Sequence, residues 1–537
     1  MSDYSWLSRR GFLRNTGFAV AGIGLKAEMA AMEQPLALDP STLTPFVDAL
    51  PIPVVARPAG MRPNPENPKE NIPYYRIAAS EIRVKVHRDL PPTRMWGFGG
   101  SFPGPTIETQ SGQALIVEWE NQLPARHFLP IDHTLHGAEA SVPEARTVVH
   151  LHGGRTPADS DGYPEDWKVP GQTQTCFYPS AQHAALLFYH DHAMGINRLN
   201  IYAGLQGLCV VRDRREDALQ LPAGEYEIPL MITDRLLTRE GQLVYPVSAR
   251  ADRPWVPEVF GNAILVNGKL LPYHEVEPRK YRLRVMNGSN GRFYRFGLSN
   301  RSVFQVIAND QGLLAGPVTA KRLPLAPAER ADMVVDFAPF AGTTVRLVSD
   351  SFDILEFRVA KQGAADTSQV PPVLHPGVVQ PREADASRTR RVTLDERVDD
   401  VQRSMGMLLN NTPWHAPVTE KPVLHTTEIW ELVNLTDDSH PIHLHLVRFR
   451  ILDRRRFDVF DYQAKGVLRF TGPAESPEPL ESGWKDTVRA DPGVVTRIIV
   501  PFEGYAGRYV WHCHILEHED NEMMRPYEVL PSSETTG

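Results

Sequence analysis

Apolar and polar residues alternate over short runs along most of the chain. Ala114-Leu-Ile-Val-Glu-Trp119, Tyr281-Arg-Leu-Arg-Val-Met286 and Thr496-Arg-Ile-Ile-Val500 are typical. A period of two puts alternate side chains on one face of an extended backbone, so each run predicts a β-strand with one side buried. Asn267-Gly268, Asn287-Gly288 and Asp310-Gln-Gly312 punctuate such runs as turns, because these residue types accept turn geometry. Stretches with apolar residues every three to four positions are scarce, which predicts few long helices. Proline agrees: there are 47 in 537 residues, about 9% against roughly 5% in an average protein, and each interrupts a helix interior. The pattern favours β-sandwiches.

Residues 362–390 are rich in proline, alanine and polar side chains and read as an interdomain linker, with a softer break at Arg214–Gly224. The expected units are 40–215, 220–362 and 388–537, with 363–387 as linker, each sized for one sandwich. A hydrophobic share of 42% and a charged share of 23% exclude a disordered chain and a multi-span membrane protein. The net charge is −8, and no long run of like charge offers a nucleic-acid surface. Three cysteines, Cys176, Cys209 and Cys513, exclude a disulfide scaffold and a cysteine-ligated zinc or iron–sulfur protein. Whether Cys176 and Cys209 pair stays open at this level.

The N-terminus carries Ser8-Arg-Arg-Gly-Phe-Leu-Arg14 and a weakly apolar stretch, Thr16–Leu25. This resembles a twin-arginine export signal, with Arg9 and Arg10 as the pair and residues 1–35 as the signal peptide. The apolar stretch is shorter than the roughly 20 residues that span a bilayer. The expectation is export of the folded protein by the twin-arginine machinery to the periplasm, without stable membrane insertion.

Ten of the 19 histidines fall in four clusters: His150-Leu-His152, His190-Asp-His192, His440-Pro-Ile-His443-Leu-His445, and His512-Cys513-His514 followed by His518. Each contains His-x-His, and on a strand residues two apart share a face. Four such pairs offer eight imidazoles to one place, more than the three protein ligands of a catalytic zinc. Parity divides the clusters. Cys513 faces away from His512 and His514, and His440 has the opposite parity to His443. Cys513 and His440 can therefore join His518 at a second site. Two histidines, a cysteine and a weak methionine are the ligand set of a blue-copper centre, and Met523 is the natural axial candidate.

At these residues the chain resembles a multicopper oxidase, nearest to bacterial spore-coat laccases, with bilirubin oxidase and phenoxazinone synthase as relatives. The segments that carry the resemblance are His150–Gly162, Tyr189–Met194, Arg198–Gly204 and Trp511–Asp520. It implies an all-β chain of three cupredoxin-like Greek-key β-sandwich domains and four copper ions. It places the type 1 copper on His440, Cys513 and His518, with Met523 axial. It puts the type 2 copper on His150 and His443, and the type 3 pair on His152, His190, His192, His445, His512 and His514. It points to Asp161 and Glu519 as carboxylates serving the protons of oxygen reduction. The implied partners are O₂ and a small reductant, a phenol, an aromatic amine or a metal ion. The export signal is foreign to a spore-coat role.

Three other readings compete: a periplasmic cuprous or metal-ion oxidase, a copper-free envelope scaffold, and a zinc hydrolase. A methionine-rich insert, expected of the first, is absent. The scaffold has no need of a full ligand set, and the hydrolase gives no reason for His-Cys-His. The other nine histidines, His183 and His375 among them, lack ligand spacing, though His133 and His136 could form a surface metal site. The proline-rich loop Arg455–Ser482, which precedes Gly483-Trp-Lys-Asp-Thr487, is expected to border the substrate site, and Asp453-Arg-Arg-Arg456 to be a solvated loop or salt-bridge cluster.

Overall fold

The computed structural model describes residues 37–250, 252–375, 380–399 and 404–532. The signal peptide expected over residues 1–35 lies outside them. Among the described residues the chain forms 30 strands, and its longest helices, Asn197–Ala203 and Val459–Lys465, have seven residues each. No described helix is long and apolar enough to cross a membrane.

The strands assemble into six sheets that pair as three sandwiches. Those between residues 60 and 212 form a five-stranded and a four-stranded sheet. Those between 227 and 359 form a seven-stranded and a five-stranded sheet, and those between 388 and 529 a five-stranded and a four-stranded one. Each sandwich repeats one long-range parallel pairing. Asn71–Val84 pairs with Leu115–Asn121, Glu227–Arg235 with Lys280–Asn287, and Arg388–Val398 with Thr427–Asn434. A parallel pairing needs a crossover, so the chain passes between sheets instead of running as a meander. Asn267 and Gly268 both adopt positive φ, 48° and 82°, and close the two-residue hairpin that sets Val266 opposite Lys269.

Alternation builds the cores as expected. Leu115, Val117 and Trp119 enter the first core, and Tyr281, Leu283 and Val285 the second. The intervening polar residues of the second run are not in solvent. Arg282 and Arg284 are buried and bind Glu216, each at 2.8–2.9 Å, and Arg282 also binds Asp332. Period two assigns a face but does not say what covers it; here the first sandwich's terminal helix, Arg214–Ala218, covers the outer face. Cys176 and Cys209 are both free and buried, and burial pushes each thiol up to about 12. Asp453–Arg456 ends a strand, Arg450–Arg456, and joins an ion-pair cluster with Arg497 and Glu481.

Candidate metal centre

Val149–His152 and Ala185–Asp191 pair antiparallel, with His150 directly opposite His190. His440–Leu444 and Gly507–Cys513 pair likewise, with His443 opposite His512. The residues between them, Val149, Leu151, Leu187 and Tyr189 in one sheet and Ile442, Leu444, Trp511 and Cys513 in the other, point into the cores of their own sandwiches. The histidines therefore line the outer faces of two four-stranded sheets, and these faces meet. His150 stacks on His445 and His152 on His443, with ring centroids 3.7 and 3.6 Å apart. His192 meets His512 at 4.9 Å and His190 meets His514 at 5.3 Å. All eight are buried.

Backbone carbonyls set the rings. Nδ1 of His150, His190, His443 and His512 lies 2.6, 2.8, 2.7 and 3.1 Å from the carbonyls of Asp161, Asp191, Asp486 and Cys513. A carbonyl only accepts, so each ring donates from Nδ1 and keeps its lone pair on Nε2. The Nε2 atoms of His150, His190 and His443, and Nδ1 of His152, are buried without a partner. Nε2 of His512 faces Nε2 of His445 at 3.2 Å and of His192 at 3.3 Å. Burial holds His190 and His443 down at about 3, and His150, His152, His192, His445 and His514 well below the ordinary imidazole range. Neutral imidazoles with convergent, unsatisfied lone pairs fit metal ions. Sets such as His150, His443 and His445, or His192, His445 and His512, bring their nitrogens within 4.8 Å of one another.

Both predicted carboxylates touch this cluster. Asp161 Oδ2 lies 2.7 Å from His445 Nδ1, and burial pushes this carboxyl well above its ordinary range. Glu519 accepts from Asn197 Nδ2 at 2.6 Å and approaches His512 Nδ1 at 3.2 Å and His192 Nδ1 at 3.5 Å. A third carboxylate, Asp486, is not among the sequence candidates. Its Oδ1 lies 3.1 Å from His152 Nε2, and Arg330 grips both its oxygens at 2.7 and 2.6 Å. Burial alone would raise Asp486, but Arg330 overrides it and holds the carboxyl below its ordinary range. Gly483–Thr487 thus backs the histidine cluster, with Thr487 Oγ1 also 3.1 Å from His152 Nε2. Arg455–Ser482 packs on the middle sandwich, where Asn309 donates to the Leu480 carbonyl at 2.7 Å.

On the inner face of the last sandwich, His440 Nδ1 and His518 Nδ1 lie 3.2 Å apart, at 3.5 and 3.8 Å from Cys513 Sγ. The parity split is therefore real. Thr436 Oγ1 meets His440 Nε2 at 2.7 Å. Burial pushes the Cys513 thiol far up, so a thiolate there requires a cation. Met523 is fully buried, and its backbone bonds both ligand segments: its carbonyl accepts from Cys513 N–H and its N–H donates to the His518 carbonyl, each at 3.0 Å. The helix Leu516–Glu519 is fastened from outside. Trp255 Nε1 donates to the Glu517 carbonyl at 2.9 Å, and Tyr245 and Asn290 both bond Glu517 Oε1 at 2.8 Å. These tethers come from loops of the middle part of the chain, whose spacing gives no ligand signal.

This pairing of a His₂Cys site with a cluster of eight histidines between two sandwiches defines a multicopper oxidase, and the chain belongs to that family. Multicopper oxidase family models match residues 383–533 and, in two segments, 81–143 and 140–216. Among curated proteins, a laccase of Bacillus subtilis (strain 168) is 48% identical over 91% of this chain and 99% of its own length. A laccase of Haloferax volcanii is 38% identical over 98% of this chain and 91% of its own length. Among solved structures, a multi-copper oxidase from Pediococcus acidilactici superposes with a TM-score of 0.75 at 26% identity, covering 94% of this chain and 96% of that one.

Proposed function

We propose that the protein is a laccase-type oxidase that takes single electrons from phenols or aromatic amines and passes four of them to O₂, giving water. The observation that carries this reading is the continuity of the two sites: His512 and His514 belong to the cluster, while Cys513 between them belongs to the His₂Cys site. Four coppers fit the donors. His440, Cys513 and His518, with Met523, would hold the type 1 ion, and His150 and His443 the type 2 ion. His152, His190, His192, His445, His512 and His514 would hold the type 3 pair. Bound copper supplies a one-electron acceptor at the first site and oxygen reduction at the second.

The chain's own residues do the rest. The backbone of Cys513 links the sites by a few covalent bonds. Asp161 and Glu519, each beside histidines of the cluster, are placed to carry protons to oxygen. The carbonyls of Asp161, Asp191 and Asp486 keep the rings oriented. The proposed setting is the periplasm, reached in folded form through the twin-arginine signal at Arg9 and Arg10.

Oxygen uptake by copper-loaded protein tests the reading, with 2,6-dimethoxyphenol and Cu(I) offered separately. Uptake with the phenol at one O₂ per four electrons, without peroxide, is expected. Uptake with Cu(I) alone would transfer the assignment to a metal-ion oxidase.

A further inference from the structure

His183 and His375 lie far apart in the chain, one in the turn before Ala185–Asp191 and the other in the linker. The fold brings their rings to a centroid separation of 5.2 Å, at 83° to each other. His440 and His518, which flank one thiolate, are 5.1 Å apart. His375 Nδ1 is buried and has no partner, a costly state for a polar atom. The linker is fixed at this point, since Leu374 N–H donates to the Ala315 carbonyl at 2.9 Å. A carboxylate adjoins His183: Asp213 accepts from the N–H of Ala184, the next residue, at 3.1 Å. His183 and Asp213 also line an open recess of about 680 Å³, together with Arg214, Arg215 and Asp217.

We propose that His183 and His375 bind a divalent transition-metal ion, with Asp213 as the neighbouring negative charge, at a site separate from the histidine cluster. Imidazole suits zinc, copper and nickel. Burial, followed by the charge of Arg448, holds His183 below its ordinary range, so the ring is neutral at neutral pH. Asp213 opposes the positive charge of Arg448 and Arg215 at this ring, and Arg214 and Asp217 line the same recess. Two protein ligands leave coordination positions for water, and the recess gives solvent a way in. The ion is therefore exchangeable, unlike one enclosed in the buried cluster.

Calorimetric titration of the copper-loaded enzyme with Zn²⁺ tests the assignment. Wild-type protein is expected to take up one zinc beyond its copper. His183→Ala and His375→Ala should each weaken that binding at least about ten-fold, the lower bound even for losing an outer-sphere partner of a metal ligand. Copper content and the blue absorption band should not change. His136→Ala should leave zinc affinity as it is, although His136 and His415 form another pair, 6.2 Å apart. No zinc uptake by wild type, or uptake that survives both substitutions, would mean that water satisfies the pair. Zinc-edge anomalous diffraction on wild-type crystals avoids variants that fold poorly: a peak between the two rings is expected, and a peak only elsewhere overturns the site.

Discussion

Asp486 performs two tasks that different substitutions separate. Its carboxylate pairs with Arg330, and both side chains are fully buried. It also meets His152 Nε2 and so leaves Nδ1 of that ring facing the cluster. Asp486→Asn keeps an oxygen for His152 but removes the charge. Arg330 retains three carbonyl acceptors, those of Leu186, Ala328 and Asp310, at 2.9–3.1 Å, yet its nearest remaining carboxylate oxygen, on Asp310, is 3.9 Å away. Breaking a buried pair on one side costs about 3–5 kcal/mol, and the surviving carbonyls put the expected loss near the lower end, about 3 kcal/mol. Asp486→Ala removes the carboxylate acceptor for His152 as well, leaving that ring only the neutral Thr487 hydroxyl, also at 3.1 Å. Its extra effect should appear in the metal, as a fall of about 10–100-fold in copper affinity, the usual result of removing a hydrogen-bond partner from a ligating histidine. The assay is copper retained per chain during dialysis against a graded chelator, run beside unfolding rates in urea. Expected are two destabilised variants, of which only the alanine form loses copper. Equal copper loss in both, or in neither, would refute the separation of roles.

Three further outcomes follow from the same geometry. Met523→Leu should raise the reduction potential of the blue site, read by redox titration of its absorption band, because an apolar side chain replaces a weak axial donor; an unchanged or lower potential removes Met523 from that position. Glu519→Gln can still accept from Asn197 but cannot carry a proton as a carboxyl does, so kcat should fall by about 10²–10⁴-fold with copper content intact, and full turnover would dismiss the relay. Glu481 is buried against Arg454 at 2.7 Å, and although burial opposes it, that cation holds the carboxyl down to about 2 from 4.5. A depressed folded-state value stabilises above the unfolded value and is lost as pH falls through the folded one. The stability gap between wild type and Glu481→Gln should therefore be full above about 4.5 and close towards pH 2; a gap that widens on acidification would contradict the pair.

Features set by short range were legible in the sequence. Strand parity placed Cys513 and His440 on the inner face and the eight histidines of the cluster on outer faces, because two-residue spacing survives any tertiary arrangement. What parity cannot report is the partner across an interface. Asp486 reads as part of a loop until Arg330, from another sandwich, is seen to grip it. Arg282 and Arg284 read as solvent-facing until Glu216 covers them. His183 and His375 read as isolated residues because only the return of the linker across the middle sandwich brings them together. The tethers Tyr245, Trp255 and Asn290 belong to irregular loops, where periodicity carries no information.

The meeting of two outer sheet faces also governs when the centre can come into existence. Four of the cluster histidines precede residue 193, and the other four, with the only thiolate of the second site, follow residue 439. An interrupted chain therefore holds half an enclosure, open to water on the side where the missing sheet belongs. Such a fragment has no His₂Cys site to accept electrons and no closed chamber in which to spend them. The redox hazard of a half-built oxidase is thus avoided by topology, since the later of the two segments both admits electrons and seals the room where oxygen is consumed.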